Sequence, residues 1–284
     1  MIFVTGTDTG VGKTVLTCLL LAHLRGEGVE ALAVKPFCSG GRGDAEALRR
    51  VMLDFPVKGR QELEAAAVGR PTRVEGYEGV LTIEEINPYY FDKPVAPRAA
   101  LIGTPGGTPR TAGETPELLK ASQMKGGAVL RLPQRAAVVK HIEGLACRCE
   151  IMLIEGAGGL LVPLGADFTV ADLILALGAE VVVVSRNALG TINHTLLTVE
   201  HLQGLGMENI TVVLMGQVTA DASVETNLEV LGEMAPEIRF VSVPFLGWKP
   251  LMGSDLKKSV NFLKKTLAGI MDQSIVSLPA RKGG

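Results

Sequence analysis

Gly6-Thr7-Asp8-Thr9-Gly10-Val11-Gly12-Lys13-Thr14 is the stretch on which the reading of this chain turns. Met1-Ile2-Phe3-Val4-Thr5 precedes it, a short apolar run suited to a buried parallel strand. Val15 to Arg25 follows, apolar nearly all round, and reads as a buried helix that Gly26-Glu27-Gly28 stops. Strand, glycine-rich loop and helix form the setting of a phosphate-binding loop. Glycines let main-chain N–H groups curl around phosphate oxygens, and the helix N-terminus adds partial positive charge. Lys13 reaches the outer phosphates, and the Thr14 hydroxyl is a ligand for Mg²⁺. A nucleotide triphosphate is thus expected on Gly10, Val11, Gly12, Lys13, Thr14 and Val15. The strict spacing is varied here, because Thr7 stands where the first glycine belongs and Gly6 lies one residue further back.

Outward from the loop, apolar runs alternate with helical stretches. Glu30 to Lys35 reads as a second strand, and Lys35-Pro36-Phe37-Cys38-Ser39-Gly40-Gly41 leaves its C-terminal end. Ligands of open α/β sheets bind beyond the carboxyl ends of the strands, so Lys35 and Ser39 face the same cleft as the loop. The plainer alternative is that Lys35 ends the strand in solvent. Asp44 opens a helical run and is typed either for an N-cap or for a metal in that cleft. Ile86 to Phe91 and Pro94 to Arg98 are fixed by proline and extended, and 103–116 reads as a loop. Glu150 to Ile154 is a further buried strand that delivers Glu155-Gly156-Ala157-Gly158-Gly159 to the same sheet edge. A carboxylate there is the second metal-handling group that phosphoryl chemistry calls for. Strands follow at Glu180 to Val184, Ile210 to Met215 and Phe240 to Pro244. Thr191 or Asn193 caps the helix from Thr195 to Leu205, with N–H groups left for an anion, and Ser259 to Met271 reads as one closing amphipathic helix. His194 is expected to be a packed or hydrogen-bonded histidine. Six or seven strands alternating with helices imply one α/β domain over 1–284, doubly wound on a mainly parallel sheet of the P-loop NTPase type.

Composition narrows the function. The 284 residues are 47% hydrophobic, enough for a large core. With 28 basic and 30 acidic residues the net charge is -2, which offers no field for nucleic acid. Cys18, Cys38, Cys147 and Cys149 fit neither a zinc site nor a disulfide framework. No apolar run reaches about 18 residues without interruption, so no membrane span is read, and no positive segment precedes the N-terminal apolar residues, so no signal peptide is read; a cytoplasmic setting is expected.

Several separated stretches together resemble the dethiobiotin synthetase family. They are Val4 to Thr14, Lys35-Pro36 with Ser39-Gly40, Asn87-Pro88-Tyr89 with Pro94 and Pro97, Glu155 to Gly159 with Pro163-Leu164, and Leu189-Gly190 with Ile192-Asn193-His194. The resemblance covers most of the chain except 54–79 and 101–134, which look like loop insertions. It implies carboxylation and ring closure of 7,8-diaminopelargonic acid with CO₂ (or bicarbonate) and ATP, through a carbamate and a carbamic-phosphoric anhydride. It implies Mg²⁺ on Thr14, Asp44 and Glu155, and catalytic roles for Thr9, Lys13, Lys35 and Ser39, with Thr9, Lys35 and Ser39 beside the diamine. Further nucleotide contacts fall at Gly156, Ala157, Gly158, Gln217, Pro250, Leu251 and Met252. The substrate carboxylate falls at Leu189 and Asn193, across the interface of a homodimer with shared sites. Departures from the family pattern are Gln217-Val218 in place of Asn-Asp, and Arg98 in place of histidine.

Two rivals share the fold. A cobyrinate-type amide ligase carries a glutaminase domain, for which too little chain follows the sheet. A partition- or septum-type ATPase uses a second lysine early in the phosphate loop, where this chain has Thr5-Gly6-Thr7. Lys257, Lys258, Lys264 and Lys265 near the end make only a mildly basic, solvated face.

Overall fold

The apolar runs become the strands of one parallel sheet. In this computed structural model, residues 1–57, 79–91, 96–97, 110–111, 133–247, 251 and 253–276 are described. The first half runs β1 (Ile2–Gly6), α1 (Lys13–Gly26), β2 (Ala31–Val34), β3 (Phe37–Ser39), α2 (Gly43–Asp54), α3 (Ile83–Ile86), β4 (Tyr89–Phe91) and β5 (Arg110–Thr111). The second runs α4 (Arg135–Ala146), β6 (Ile151–Glu155), α5 (Val170–Leu177), β7 (Glu180–Asn187), α6 (Thr191–Gly204), β8 (Ile210–Gly216), α7 (Asn227–Met234), β9 (Arg239–Val243), α8 (Gly253–Phe262) and α9 (Lys264–Val276).

Six strands pair in the order β2-β6-β1-β7-β8-β9, every neighbour parallel. The chain leaves β1 for one edge, returns through β6, then crosses to β7 and the other edge. Right-handed crossovers put α1 on one face and α5, α6 and α7 on the other. The packing agrees: α1 lies against α2, α8 and α9, α4 against α5, and α6 against α7. Both faces are therefore covered, and β1 and β6 are buried at every residue. The reversal of direction at β1 opens a crevice at the strands' carboxyl ends, where the phosphate loop, Lys35 and Glu155 all emerge.

The structure corrects several expectations. α6 begins at Thr191, capped by Gly190 at φ 90, so neither Thr191 nor Asn193 is a side-chain cap. Asp44 lies inside the first turn of α2 behind Arg42, which leaves its carboxylate free of capping. The closing helix is two helices, α8 and α9, broken at Leu263. Ile86 ends a one-and-a-bit-turn helix capped by Thr82, so the extended segment starts only at Tyr89. α7 and a small second sheet, β3-β4-β5, add to the elements expected from the sequence. The two insertion segments lie largely outside the described residues, as do Arg98, Pro250 and Met252.

Asn87 explains why an otherwise irregular segment is fixed next to β2. It is fully buried, and its amide nitrogen donates to the carbonyls of Lys35 (2.9 Å), Pro36 (3.2 Å) and Tyr89 (3.0 Å). Arg42 donates to its oxygen at 3.2 Å and stacks its guanidinium 4.3 Å above the Tyr90 ring. The main chain at Lys35 is thereby held from the side, which fixes where that lysine starts.

Candidate active site

β1 delivers the phosphate loop and α1 receives it. Gly12 has φ 104, a conformation that L side chains rarely adopt, and a Cβ there would press on Met215 at 3.3 Å. At Gly6 a Cβ would lie 2.8 Å from Val11 Cγ2 and 3.1 Å from Lys13 Nζ. This close approach accounts for the varied spacing. The glycine that the packing requires is the one that closes β1, while Thr7 carries a side chain whose hydroxyl lies 3.3 Å from Ser185 Oγ.

Two lysines and two carboxylates meet behind the loop. Lys35 Nζ donates to Glu155 Oε1 at 2.5 Å and to Asp44 Oδ2 at 2.6 Å. Thr14 Oγ1 donates to the same Glu155 oxygen at 2.6 Å. Lys13 folds back, its ammonium 2.7 Å from the Asp8 carbonyl oxygen. Lys35 and Lys13 are each 6% exposed and Glu155 1%, so these charges act at low dielectric. Burial opposes the charge on Lys35, but Glu155 and Asp44 outweigh it and hold its pKa above the usual lysine value. Among the described residues no carboxylate is in contact with Lys13; burial first, then the charge of Lys35, lowers it to about 8. A cradle with one locked cation and one easily discharged cation suits a ligand that brings its own negative charge.

That arrangement fixes a pH dependence. Below about pH 8 Lys13 is charged in the nucleotide-free protein, and above it the charge is lost, whereas an ordinary lysine holds its proton to about pH 10. ATP affinity measured by calorimetry should therefore weaken as pH rises from 7 to about 9.5. A flat profile over that range would show that Lys13 does not bind the triphosphate in its charged form.

The donor set fits a hard cation. Thr14, Glu155 and Asp44 offer only oxygen, and Glu155 Oε2 is buried with no hydrogen-bond partner. Among the described residues no group of three His, Cys, Asp or Glu could hold a metal ion. All four cysteines are free. Burial pushes the Cys38 thiol up to about 12 and the Cys18 thiol well above its usual value, so neither is a nucleophile at neutral pH.

The remaining expected residues are spread along the cleft. Gly156, Ala157 and Gly158 turn beside the loop, and a Cβ at Gly158 would come within 3.6 Å of Thr9 Oγ1. Ser39 is exposed at the end of β3. Gln217 follows β8 and turns its amide back to Met215 O at 2.7 Å. Leu251 is partly buried against the core. Leu189 and Asn193 are exposed at the start of α6. That helix start and the loop share a cleft of about 160 Å³, lined by Thr7, Ser185, Arg186, Leu189, Thr191 and His194 among others. His194 is exposed there rather than packed. Sequence reasoning missed Asp8 and Arg186 as a pair, 2.9 Å apart across the cleft mouth.

A family model described as an AAA domain matches residues 1–102 and 114–247. An ATP-dependent dethiobiotin synthetase of Anaeromyxobacter sp. (strain Fw109-5) is 34% identical over 277 residues, covering 94% of this chain and 97% of that protein. The chain belongs to the ATP-dependent dethiobiotin synthetase family. A second dethiobiotin synthetase, from Methanocaldococcus jannaschii, is 33% identical over 219 residues, 77% of this chain and 80% of its own. Among solved structures, a MinC:MinD cell division protein complex of Aquifex aeolicus superposes with a TM-score of 0.48 at 15% identity, covering 100% of this chain and 99% of that one. At that level the likeness says nothing of function. Among the described residues no helix is long and apolar enough to cross a membrane.

Proposed function

We propose that this chain forms dethiobiotin from 7,8-diaminopelargonic acid, CO₂ and ATP, in biotin biosynthesis. The observation that carries the mechanism is the buried Lys35, set between Glu155 and Asp44 directly behind the phosphate loop. This second cation leaves from the end of β2 and not from the early phosphate loop. A carbamate calls for it, because its negative oxygen must approach a γ-phosphate that is itself negative. In this reading one amine of the substrate takes up CO₂, and Lys35 and Thr9 hold the carbamate while Ser39 holds the neighbouring amine. The carbamate oxygen attacks the γ-phosphorus in line, with Lys13 following the charge onto the departing ADP. The second amine then attacks the carbamate carbon of the anhydride, closes the cyclic urea and releases phosphate. Positioning supplies most of the acceleration, since both reactions are made intramolecular.

Mg²⁺, when bound by Thr14, Asp44 and Glu155, neutralises charge on the triphosphate. Changing Glu155→Gln or Asp44→Asn removes a carboxylate from that hard-cation site. Each variant should raise the Mg²⁺ concentration for half-maximal rate several-fold and leave diamine saturation near wild type. Unchanged Mg²⁺ half-saturation in both would remove them from the metal site.

The reading is tested by what ADP release depends on. ADP should appear only when the diamine and bicarbonate are both present. Release that ignores both and responds to DNA or lipid vesicles would favour a switch ATPase.

A further inference from the structure

The C-terminal end of β7 grips the phosphate loop through three consecutive residues. Val184 O accepts the Thr7 N–H, Ser185 Oγ lies 3.3 Å from Thr7 Oγ1, and Arg186 Nη2 donates to Asp8 Oδ2 at 2.9 Å. Asp8 passes the constraint on. Its other carboxylate oxygen accepts the Thr9 N–H at 2.7 Å, and its main-chain oxygen accepts Lys13 Nζ.

We propose that Arg186 is a positioning residue for the diamine end of the active site, acting through Asp8 on Thr9. The statement rests on the function proposed above. Arg186 can serve as a fixed origin because its own strand end is anchored. Ser185, 1% exposed, lies 2.8 Å from Thr191 Oγ1 and accepts from Thr195 Oγ1 at 3.0 Å, which ties β7 to the first two turns of α6. Arg186 O accepts the Ala188 N–H at 3.1 Å, which fixes the turn beyond it. From that origin the guanidinium spans the cleft mouth to the loop tip. The loop tip carries Thr9 beside the Gly158 turn.

Stability is not what the pair supplies. The side chains of Arg186 and Asp8 are 46% and 55% exposed, and an ion pair so placed contributes little to stability. Its geometric effect is another matter, since a displacement of about 1 Å at a positioning group can cost up to a hundredfold in rate. The signature is therefore kinetic loss without thermal loss.

The experiment compares Arg186→Gln, Arg186→Lys, Asp8→Asn and the Arg186→Gln/Asp8→Asn double variant. Arg186→Gln should raise the diamine KM by on the order of tenfold, more than it raises the ATP KM, with an unchanged melting temperature. Arg186→Lys, which keeps a donor and a charge, should recover much of the loss. The double variant should be no worse than the poorer single, because both remove one constraint. Hydrogen exchange at the amides of residues 7–10 in the nucleotide-free protein should be faster in Arg186→Gln. That readout needs no turnover, so it decides whether Arg186 fixes the loop even if wild-type protein were to form no cyclic urea. An unchanged diamine KM, additive effects of the two single changes, or unchanged exchange at the loop would each overturn the proposal.

Discussion

Lys13→Ala should lower kcat by about 10²–10³-fold while leaving the melting temperature near wild type, because it removes a donor aimed at charge that grows during transfer. The ammonium is close to the loop and 6% exposed, and among the described residues it donates to the Asp8 carbonyl. Removing it leaves that carbonyl to the loop mouth, where water can replace the lysine. Fold and catalysis are therefore separable at this position. Lys35 is different, since its loss strands two carboxylates, Glu155 at 1% exposure among them. Circular dichroism and single-turnover kinetics on Lys13→Ala check both halves of the expectation. Near wild-type turnover in folded protein would remove the phosphate-loop assignment.

The same variant gives a second large effect when paired with Asn193→Ala. We propose a homodimer in which α6 of one subunit lends its start to the other's site. Asn193 is exposed, and Leu189 and Leu197 on and before that helix are 85% and 58% exposed in the single chain. Such apolar exposure beside an exposed amide suits a two-fold contact. Mixed and exchanged, the two weak variants form hybrids that put both lesions in one site and leave the other whole. Activity should then rise to roughly a quarter of wild type, the statistical share of intact sites. No recovery after proven exchange would assign Asn193 to the loop of its own subunit, on the cleft that Thr7 and Leu189 share.

What could be read from the sequence was what lies close together along it. The loop from Gly6 to Thr14 shows its chemistry by spacing, and Lys35 and Glu155 show theirs by standing at the ends of apolar strands. The sequence leaves Asp44 either a cap or a metal ligand; the geometry removes the cap, with Arg42 at that position and Lys35 Nζ 2.6 Å from the carboxylate. The pairing of Lys35 with both carboxylates at once was not legible, because Glu155 lies 120 residues away and register decides the contact. Asp8 and Arg186 are 178 residues apart and both look like solvated surface charges. Asn87 stood out by its neighbours, but its task of holding the Lys35 main chain depends on a fold-back that proline spacing does not encode. α6 starts at Thr191 rather than Thr195 because Gly190 caps it by conformation, with no hydroxyl or amide side chain bonded at the cap.

Oxygen tracing tests the central claim most directly. The protein is given diamine, Mg²⁺, ATP and freshly dissolved ¹⁸O-bicarbonate, and product and phosphate are weighed by mass spectrometry before the label washes into water. If a carbamate oxygen attacks the γ-phosphorus and leaves with it, each cyclic urea formed is matched by one inorganic phosphate carrying one ¹⁸O. Unlabelled phosphate alongside product would contradict the anhydride route, and phosphate released with no cyclic urea at all would contradict the proposed reaction itself.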